Sequence, residues 1–86
     1  MRPERGQIAF SRAGHDKGQA FIIAACDDRY VYICDGKHRL LENPKRKKLI
    51  HIALTNTVLD DDAIKTNRQI RKSLAVFISQ KCSEEG

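Results

Sequence analysis

Basic side chains are concentrated between Lys37 and Lys48, where they could bind phosphate groups. Six of them stand against Glu42 alone, so this segment has a net charge of +5, equal to that of the whole 86-residue chain. Ammonium and guanidinium groups at this density are typical of surfaces that neutralise a polyanion. The segment therefore predicts a patch that binds nucleic acid or another acidic surface; its residues are Lys37, His38, Arg39, Lys45, Arg46, Lys47 and Lys48. The alternative is a basic face that is simply solvated.

A second group of cations lies in the stretch SRAGHDKGQ, Ser11–Gln19. Arg12 and Lys17, with His15 between them, could contact phosphate together with backbone N–H groups that such a loop leaves exposed. The alternative is a sharp connection between two strands whose polar residues simply face water. For Arg12 and Lys17 we favour the phosphate contact.

Two glycines in the same loop, Gly14 and Gly18, indicate a tight corner. Glycine adopts positive φ and allows close backbone approach, as a sharp turn between strands requires. Asp16 has the wrong charge to bind phosphate, and we expect it to cap the turn through its own backbone. Gly14, Asp16 and Gly18 are therefore predicted to have structural roles. The main role of the loop is predicted to be a tight turn, and phosphate binding is its second role.

No arrangement typical of catalysis or metal binding is present in the sequence. The acidic run Asp60–Asp62 stands where a helix cap belongs, and no Ser, Cys or His has an orienting partner at a recognisable spacing. The cysteines form no C-x-x-C pair and the histidines have no ligand spacing; these residues are Cys26, Cys34, Cys82, His15, His38 and His51. We predict a protein that is not an enzyme and that uses neither a metal nor another cofactor.

The elements that position these residues are mostly short strands. Gly6–Ser11 alternates apolar and polar residues, which predicts a half-buried strand. Ala20–Cys26 and Arg29–Gly36 are rich in β-branched and aromatic residues and predict a hairpin. Leu49–Leu54 predicts a further strand, whereas Asp35–Lys48, with its glycine and its Asn-Pro pair, is predicted to be a loop.

The two cysteines of the hairpin are expected to lie on opposite faces. An even loop length would place Ile22 and Cys26 on the face of Val31 and Ile33, with Cys34 on the other face. A disulfide between Cys26 and Cys34 is then geometrically unfavourable. We expect both thiols to be packing residues.

The segment that follows Asp60 predicts one amphipathic helix of about 18–20 residues. Asp60 or Asp61 is a suitable N-cap, and the neighbouring acids favour the positive end of a helix. Asn67 interrupts an apolar stripe that otherwise recurs close to every helical turn, at Ala63, Ile64, Ile70, Leu74, Phe77 and Ile78.

The stretch Gly6–Gly36 resembles the KOW motif, an SH3-like barrel element of several ribosomal proteins and transcription factors. The matching residues are Gly6, the alternating Ile8 and Phe10, AGHDKG at Ala13–Gly18, the apolar run Phe21–Ala25 and the continuation DDRYVYICDGKHR. In that family a glycine at the place of Gly18 follows a basic residue and lets the chain turn into the second strand. The resemblance extends to about Thr55 and is closest to large-subunit ribosomal proteins of the fourteen-e type and to small bacterial KOW proteins.

The resemblance implies a mainly β fold with a small five-stranded SH3-like barrel in residues 1–59. The C-terminal helix and tail, residues 60–86, are predicted from the apolar pattern and are not part of the motif. It also implies an RNA-binding module, associated with the ribosome and translation, that contacts the phosphate backbone of rRNA through basic loops. Ribosomal or transcription proteins are further expected partners. No long apolar run or N-terminal hydrophobic segment occurs, so we expect no membrane span and a cytoplasmic location. We also expect the protein to be a monomer when it is free.

The competing hypothesis is a protein-interaction module that docks a transcription or translation partner. SH3-like barrels bind peptides as well as RNA, and the helix could offer its apolar stripe to another protein. The position of that stripe distinguishes the two hypotheses. A stripe packed on its own barrel favours RNA, whereas a stripe exposed as one patch favours a protein partner or a dimer.

Tyr30 and Tyr32 alternate on one predicted strand and have two interpretations. They could stack on exposed RNA bases. More commonly, such tyrosines cover the edge of a core and keep their hydroxyl groups in water. The sequence leaves both interpretations open.

Overall fold

The computed structural model describes residues 2–85, and the side chains of residues 2–80. Five antiparallel strands form one sheet in the order β4-β3-β2-β1-β5, and a helix follows them. The mainly β fold with a C-terminal helix is therefore confirmed. The elements are β1 (Gln7–Ser11), β2 (Ala20–Cys26), β3 (Tyr30–Cys34), β4 (Lys45–Lys48), β5 (Ile52–Val58) and α1 (Asn67–Glu85).

The core consists of two clusters on opposite faces of the sheet. One cluster joins strand residues such as Ile8 and Ile22 to Ile70 and Leu74 of α1. The other contains Phe21 and its neighbours from four strands and no residue of the helix, so this face is buried by the sheet and its connections alone.

The prediction that β1 is half-buried is wrong. Its polar residues Gln7 and Ser11 are each 2% exposed. The alternation correctly marks a strand, but both faces of β1 are covered, one by α1 and one by the rest of the sheet. The buried side-chain amide of Gln7 is hydrogen-bonded, because its Nε2 donates to the carbonyl of Thr55 at 2.7 Å.

The predicted faces of the β2–β3 hairpin are also wrong, because the strand pairing shifts between Ile23 and Ala25. Near the turn Cys26 lies opposite Val31, as an even loop requires. Beyond the shift Ile22 lies opposite Cys34 instead. A bulge adds one residue to one strand, and one extra residue moves every following side chain to the other face.

The cysteines differ in burial, so the expectation that both pack in the core is only half correct. Cys34 is fully buried in the cluster beneath α1, and burial raises the pKa of its thiol to about 11. Cys26 is exposed at the end of β2. Both thiols are free, and the side chain of Cys82 lies outside the described residues.

Two boundaries after β3 differ from the predictions. The run Lys45–Lys48, predicted to be part of a loop, forms strand β4 at one edge of the sheet. Edge strands tolerate lysines, which discourage pairing with other chains. The predicted strand Leu49–Leu54 begins with a 3₁₀ turn over Leu49–His51, which leaves Ile50 75% exposed, and β5 starts at Ile52.

The helix begins later than predicted. Asp61–Ile64 forms a 3₁₀ turn, and α1 starts at Asn67, where Thr66 Oγ1 accepts a hydrogen bond from the N–H of Gln69 at 3.2 Å. Thr66 is thus the N-cap that we had assigned to Asp60 or Asp61. Within residues 2–85, no helix has the length and apolar character needed to cross a membrane.

Candidate nucleic-acid interface

Pairing with β3 divides the cations of β4 between two faces. Successive side chains of a strand point to opposite sides of its sheet. Lys45 and Lys47 lie opposite Ile33 and Val31, which belong to the core cluster without helix residues. The segment that reads as one patch in the sequence is therefore split, and the two cations on the outward face are Arg46 and Lys48.

Lys47 is turned into the protein. Its side chain is 8% exposed, and its ammonium group donates to Ser11 Oγ at 2.6 Å and to the carbonyl of Ala13 at 2.7 Å. Ser11 Oγ also donates to the same carbonyl at 3.0 Å. These bonds join β4 to the loop that follows β1. We therefore leave Lys47 out of the proposed RNA contacts.

Asp16 lies beside both inward lysines. Its carboxylate accepts a hydrogen bond from Lys45 Nζ at 2.9 Å and lies 4.0 Å from Lys47 Nζ. The hydrogen bond from Lys45 lowers the pKa of Asp16, and the charges of Lys47 and Arg39 add to the effect against the opposing cost of burial. Within the turn the backbone carbonyl of Asp16 accepts the N–H of Gln19 at 2.9 Å, and its carboxylate forms an ion pair with β4 that the sequence did not predict.

The loop 12–19 is a tight corner, as predicted. Gly14 and Gly18 have φ values of 79° and 86°. The N–H groups of Lys17, Gly18 and Gln19 donate to carbonyls of Gly14, Ser11 and Asp16 at 2.8–3.2 Å. These three N–H groups are thus used within the loop and cannot hold a phosphate. The exposed side chains that remain for that role are Arg12, His15 and Lys17.

The loop 35–44 is held by Asp35, a residue that sequence reasoning missed. Its Oδ1 accepts hydrogen bonds from the N–H groups of Lys37, His38 and Arg39 at 2.8–2.9 Å. A side-chain turn of this kind is favoured by aspartate, and the pair Asp35-Gly36 was the available signal. It leaves the side chains of Lys37 and His38 exposed and that of Arg39 half-buried.

The two basic loops meet. The charge of Arg39 acts on the carboxylate of Asp16, and Lys37 lines the same groove as Gly18 and Gln19. We name the loop Arg12–Lys17 and the segment 37–48, which lie close together around Asp16, the basic edge. The net charge of this edge is positive, because the carboxylate of Asp16 is already paired with Lys45.

A groove of about 710 Å³ separates α1 from the start of β2. Apolar side chains such as Phe10 and Leu74 line it, and two cations face it, Lys37 from the loop and Arg71 from the helix. Arg71 was not predicted, because the sequence of α1 alone does not show which face lies beside the basic loop. Asn67, also missed, accepts the N–H of Leu41 at 2.7 Å and so fixes the loop 35–44 to the helix.

In the part of the chain that the structure describes, no three His, Cys, Asp or Glu side chains cluster closely enough to hold a metal ion. Comparison with protein-family models and with curated proteins finds no match for this chain.

Proposed function

We propose that this chain is an RNA-binding module of the KOW type, that its strands form an SH3-like barrel, and that it binds the phosphate backbone of ribosomal RNA. The observation that carries the proposal is the meeting of two basic loops around a neutralised aspartate, Asp16. The proposed contacts are Arg12, His15, Lys17, Lys37, His38, Arg39, Arg46 and Lys48, with Lys45 shared between Asp16 and the RNA.

The position of the helix supports RNA over the competing protein-interaction module. Ile64, Ile70 and Leu74 are 0–5% exposed and pack on the sheet, and Phe77 packs against the same cluster. Ala63 and Phe77 of the stripe are partly exposed, and Ile78 at its far end is 45% exposed. The apolar face that a protein partner would have used is therefore largely occupied by the sheet of the same chain.

The strength of binding should depend steeply on salt. If about four of the outward cations each neutralise a phosphate of single-stranded RNA, log K falls with log salt with a slope of about −2.8. Raising salt from about 50 to 200 mM would then weaken binding about fiftyfold. A contact made through uncharged groups would show a much smaller dependence.

Charge reversal tests the proposal directly. The variant Arg12→Glu/Lys17→Glu is expected to lose most binding to a dye-labelled single-stranded RNA, measured by fluorescence anisotropy at low salt. The matched control is Arg68→Glu/Lys72→Glu on the exposed side of α1, which changes the net charge by the same amount. Equal losses in both variants would mean that overall charge, and not this edge, determines the affinity.

Co-sedimentation tests the ribosomal part of the proposal. The tagged protein is expected to sediment with large ribosomal subunits from a lysate at low salt, and to dissociate as salt is raised. Absence from ribosomes at low salt, in a protein that still binds RNA oligonucleotides, would reject the ribosome as its partner while leaving RNA binding intact.

A further inference from the structure

Four side chains form one aromatic and basic surface on the outward side of β3 and β4. Tyr30 lies opposite Lys48, and Tyr32 lies opposite Arg46, so all four point to the same side of the sheet. We name Tyr30, Tyr32, Arg46 and Lys48 the tyrosine face. Directly opposed side chains on antiparallel strands have Cβ atoms about 4.5–5.5 Å apart, so the four form a continuous patch.

The helix covers this side of the sheet only in part. Cys34, which shares the face of Tyr30 and Tyr32 by alternation, is buried with Ile70 and Leu74 of α1. The two tyrosines are only partly buried, and neither belongs to a core cluster of the described residues. Each tyrosine is therefore in part accessible to solvent.

The electrostatics of the tyrosine face suit a nucleotide. The guanidinium carbon of Arg46 lies 4.7 Å from the centre of the Tyr30 ring, a cation–π arrangement that holds both groups in place. Lys48 is exposed beside them and makes no ion pair with another described residue. An acid beside this face, Asp27, has a carboxylate that already accepts the N–H groups of Arg29 and Tyr30 at 2.9 and 2.7 Å.

We propose that the tyrosine face is a base-stacking platform for single-stranded RNA, with unpaired bases on Tyr30 and Tyr32 and the adjoining phosphate on Lys48. This inference rests on the proposed function and adds the class of RNA that is bound. Side chains two positions apart on a strand are separated by about 6.6 Å, so the two positions can each take one base. Because Arg46 covers one face of the Tyr30 ring, the base at that position stacks on the guanidinium or on the other face of the ring. Exposed aromatic side chains on sheets bind single strands in this way, whereas the bases of a duplex are not available to them.

The chain contains two tyrosines and no tryptophan, so its intrinsic fluorescence comes from the tyrosine face alone. A short oligoadenylate is expected to quench this fluorescence on binding, because stacking brings a base onto the rings. An abasic oligomer with the same number of phosphates should bind through the cations without quenching. Binding itself is followed by anisotropy of a dye on the RNA, and the absorbance of RNA is corrected with free tyrosine amide.

Two substitution pairs test the assignment. Tyr30→Leu/Tyr32→Leu is expected to weaken oligoadenylate binding about tenfold or more while leaving the affinity for an RNA duplex unchanged. Tyr30→Phe/Tyr32→Phe keeps the rings and should bind as the parent does. Thermal unfolding of each variant shows whether the fold is kept, and the parent quenching experiment needs no variant at all.

The possible results distinguish a failure of the stacking platform from a failure of RNA binding itself. Binding of oligoadenylate with unchanged tyrosine fluorescence, or equal affinity of the Leu pair and the parent, overturns the platform and leaves RNA binding in place. If no RNA binds at low salt, both proposals are overturned. Quenching by oligoadenylate but not by the abasic oligomer, with loss of affinity in the Leu pair alone, supports the platform.

Discussion

The ammonium group of Lys45 donates a 2.9 Å hydrogen bond to the carboxylate of Asp16, which is 29 residues away in the sequence. The two side chains are 33% and 15% exposed, so the pair is partly shielded from water. It joins edge strand β4 to the loop that follows β1. It also neutralises the one acid in that loop, which would otherwise repel a phosphate bound to Arg12 or Lys17.

Replacing this carboxylate should give a pH-dependent loss of stability. The pKa of Asp16 is lowered from its ordinary value of 3.8, so the ionised form favours the folded state. This contribution is complete above pH 3.8 and is lost as pH falls through the lower folded-state pKa. Asp16→Asn is expected to reduce the free energy of unfolding by about 1 kcal/mol near neutral pH.

The measurement is urea unfolding of Asp16→Asn and the parent at a series of pH values. The gap between the two proteins should close as the medium becomes more acidic than pH 3.8, because the parent then loses the same charge. Asp28→Asn, an exposed acid at the β2–β3 turn, serves as control and should show little effect at any pH. A gap that stays constant with pH would exclude the ion pair as its cause.

Lys47 and Lys48 are adjacent in sequence but should respond oppositely to substitution. Lys47→Met keeps the aliphatic stem and removes the hydrogen bonds to Ser11 and Ala13, at an expected cost of about 2–3 kcal/mol. Lys48→Met changes an exposed side chain and should shift stability by less than about 0.5 kcal/mol. Thermal unfolding compares the two.

The effects of the same two substitutions on RNA affinity should be the reverse of their effects on stability. Folded Lys47→Met should bind RNA like the parent, whereas Lys48→Met should bind more weakly. Reversing all of Lys45–Lys48 to glutamate would mix the two effects, since it unfolds the corner as well as removing the charge. If Lys47→Met is as stable as the parent, the inward position of that side chain is wrong.

Strands β1, β2, β3 and β5 and the helix could be predicted because their hydrophobic periods are local, whereas β4, with the sequence KRKK, has no such period. The faces of β2 could not, since the bulge between Ile23 and Ala25 carries no glycine or proline that marks it. The division of the basic segment between two faces of the sheet could not be predicted from the sequence either. Lys47 and Lys48 are the same residue type, and only the pairing of β4 with β3 decides which of them is buried.

The role of α1 in the site also depends on tertiary contacts. Asn67 reads as a break in an apolar stripe, yet it accepts the N–H of Leu41 and hydrogen-bonds to Glu42. In the sequence, Arg71 is one of several cations on the predicted helix. In the structure it lines the same groove as Lys37. In both cases the position of the side chain depends on how the helix packs against the loop 35–44, which the residue type alone does not show.

That packing depends on Gly36, which cannot accept a side chain. A Cβ there would lie 2.2 Å from the carbonyl oxygen of Asn67, and the residue has a φ of 78°. Gly36→Ala should therefore separate the loop from α1 and destabilise the protein by several kcal/mol, about 1–2 of which come from positive φ alone. Gly18→Ala isolates that backbone contribution, because no atom lies within 4 Å of its Cβ position.

The comparison is made by urea unfolding of Gly36→Ala, Gly18→Ala and the parent. The expected order of stability places the parent first, Gly18→Ala next and Gly36→Ala last. The difference between the two variants measures the clash with Asn67. Equal destabilisation in the two variants would show that the loop 35–44 can move away from the helix at little cost.

Cys34 and Cys26 should differ in reactivity because one thiol is buried and the other is exposed. The pKa of Cys34 is raised to about 11, mainly by burial, and its Sγ lies in contact with the carbonyl of Ile22. At about pH 8 the reactive thiolate of Cys34 is therefore scarce and closed off beneath α1. Cys26 is exposed and should be alkylated by iodoacetamide at least about a hundredfold faster.

The experiment uses a Cys82→Ser background and follows each cysteine by peptide mass spectrometry. In the folded protein only Cys26 should be labelled over the period in which it reacts to completion, and adding urea should make Cys34 react as well. Gly36→Ala provides an internal test, because loosening α1 from the loop 35–44 should speed labelling of Cys34 and leave Cys26 unchanged. Similar rates for both thiols in the folded parent would mean that α1 does not cover this face of the sheet.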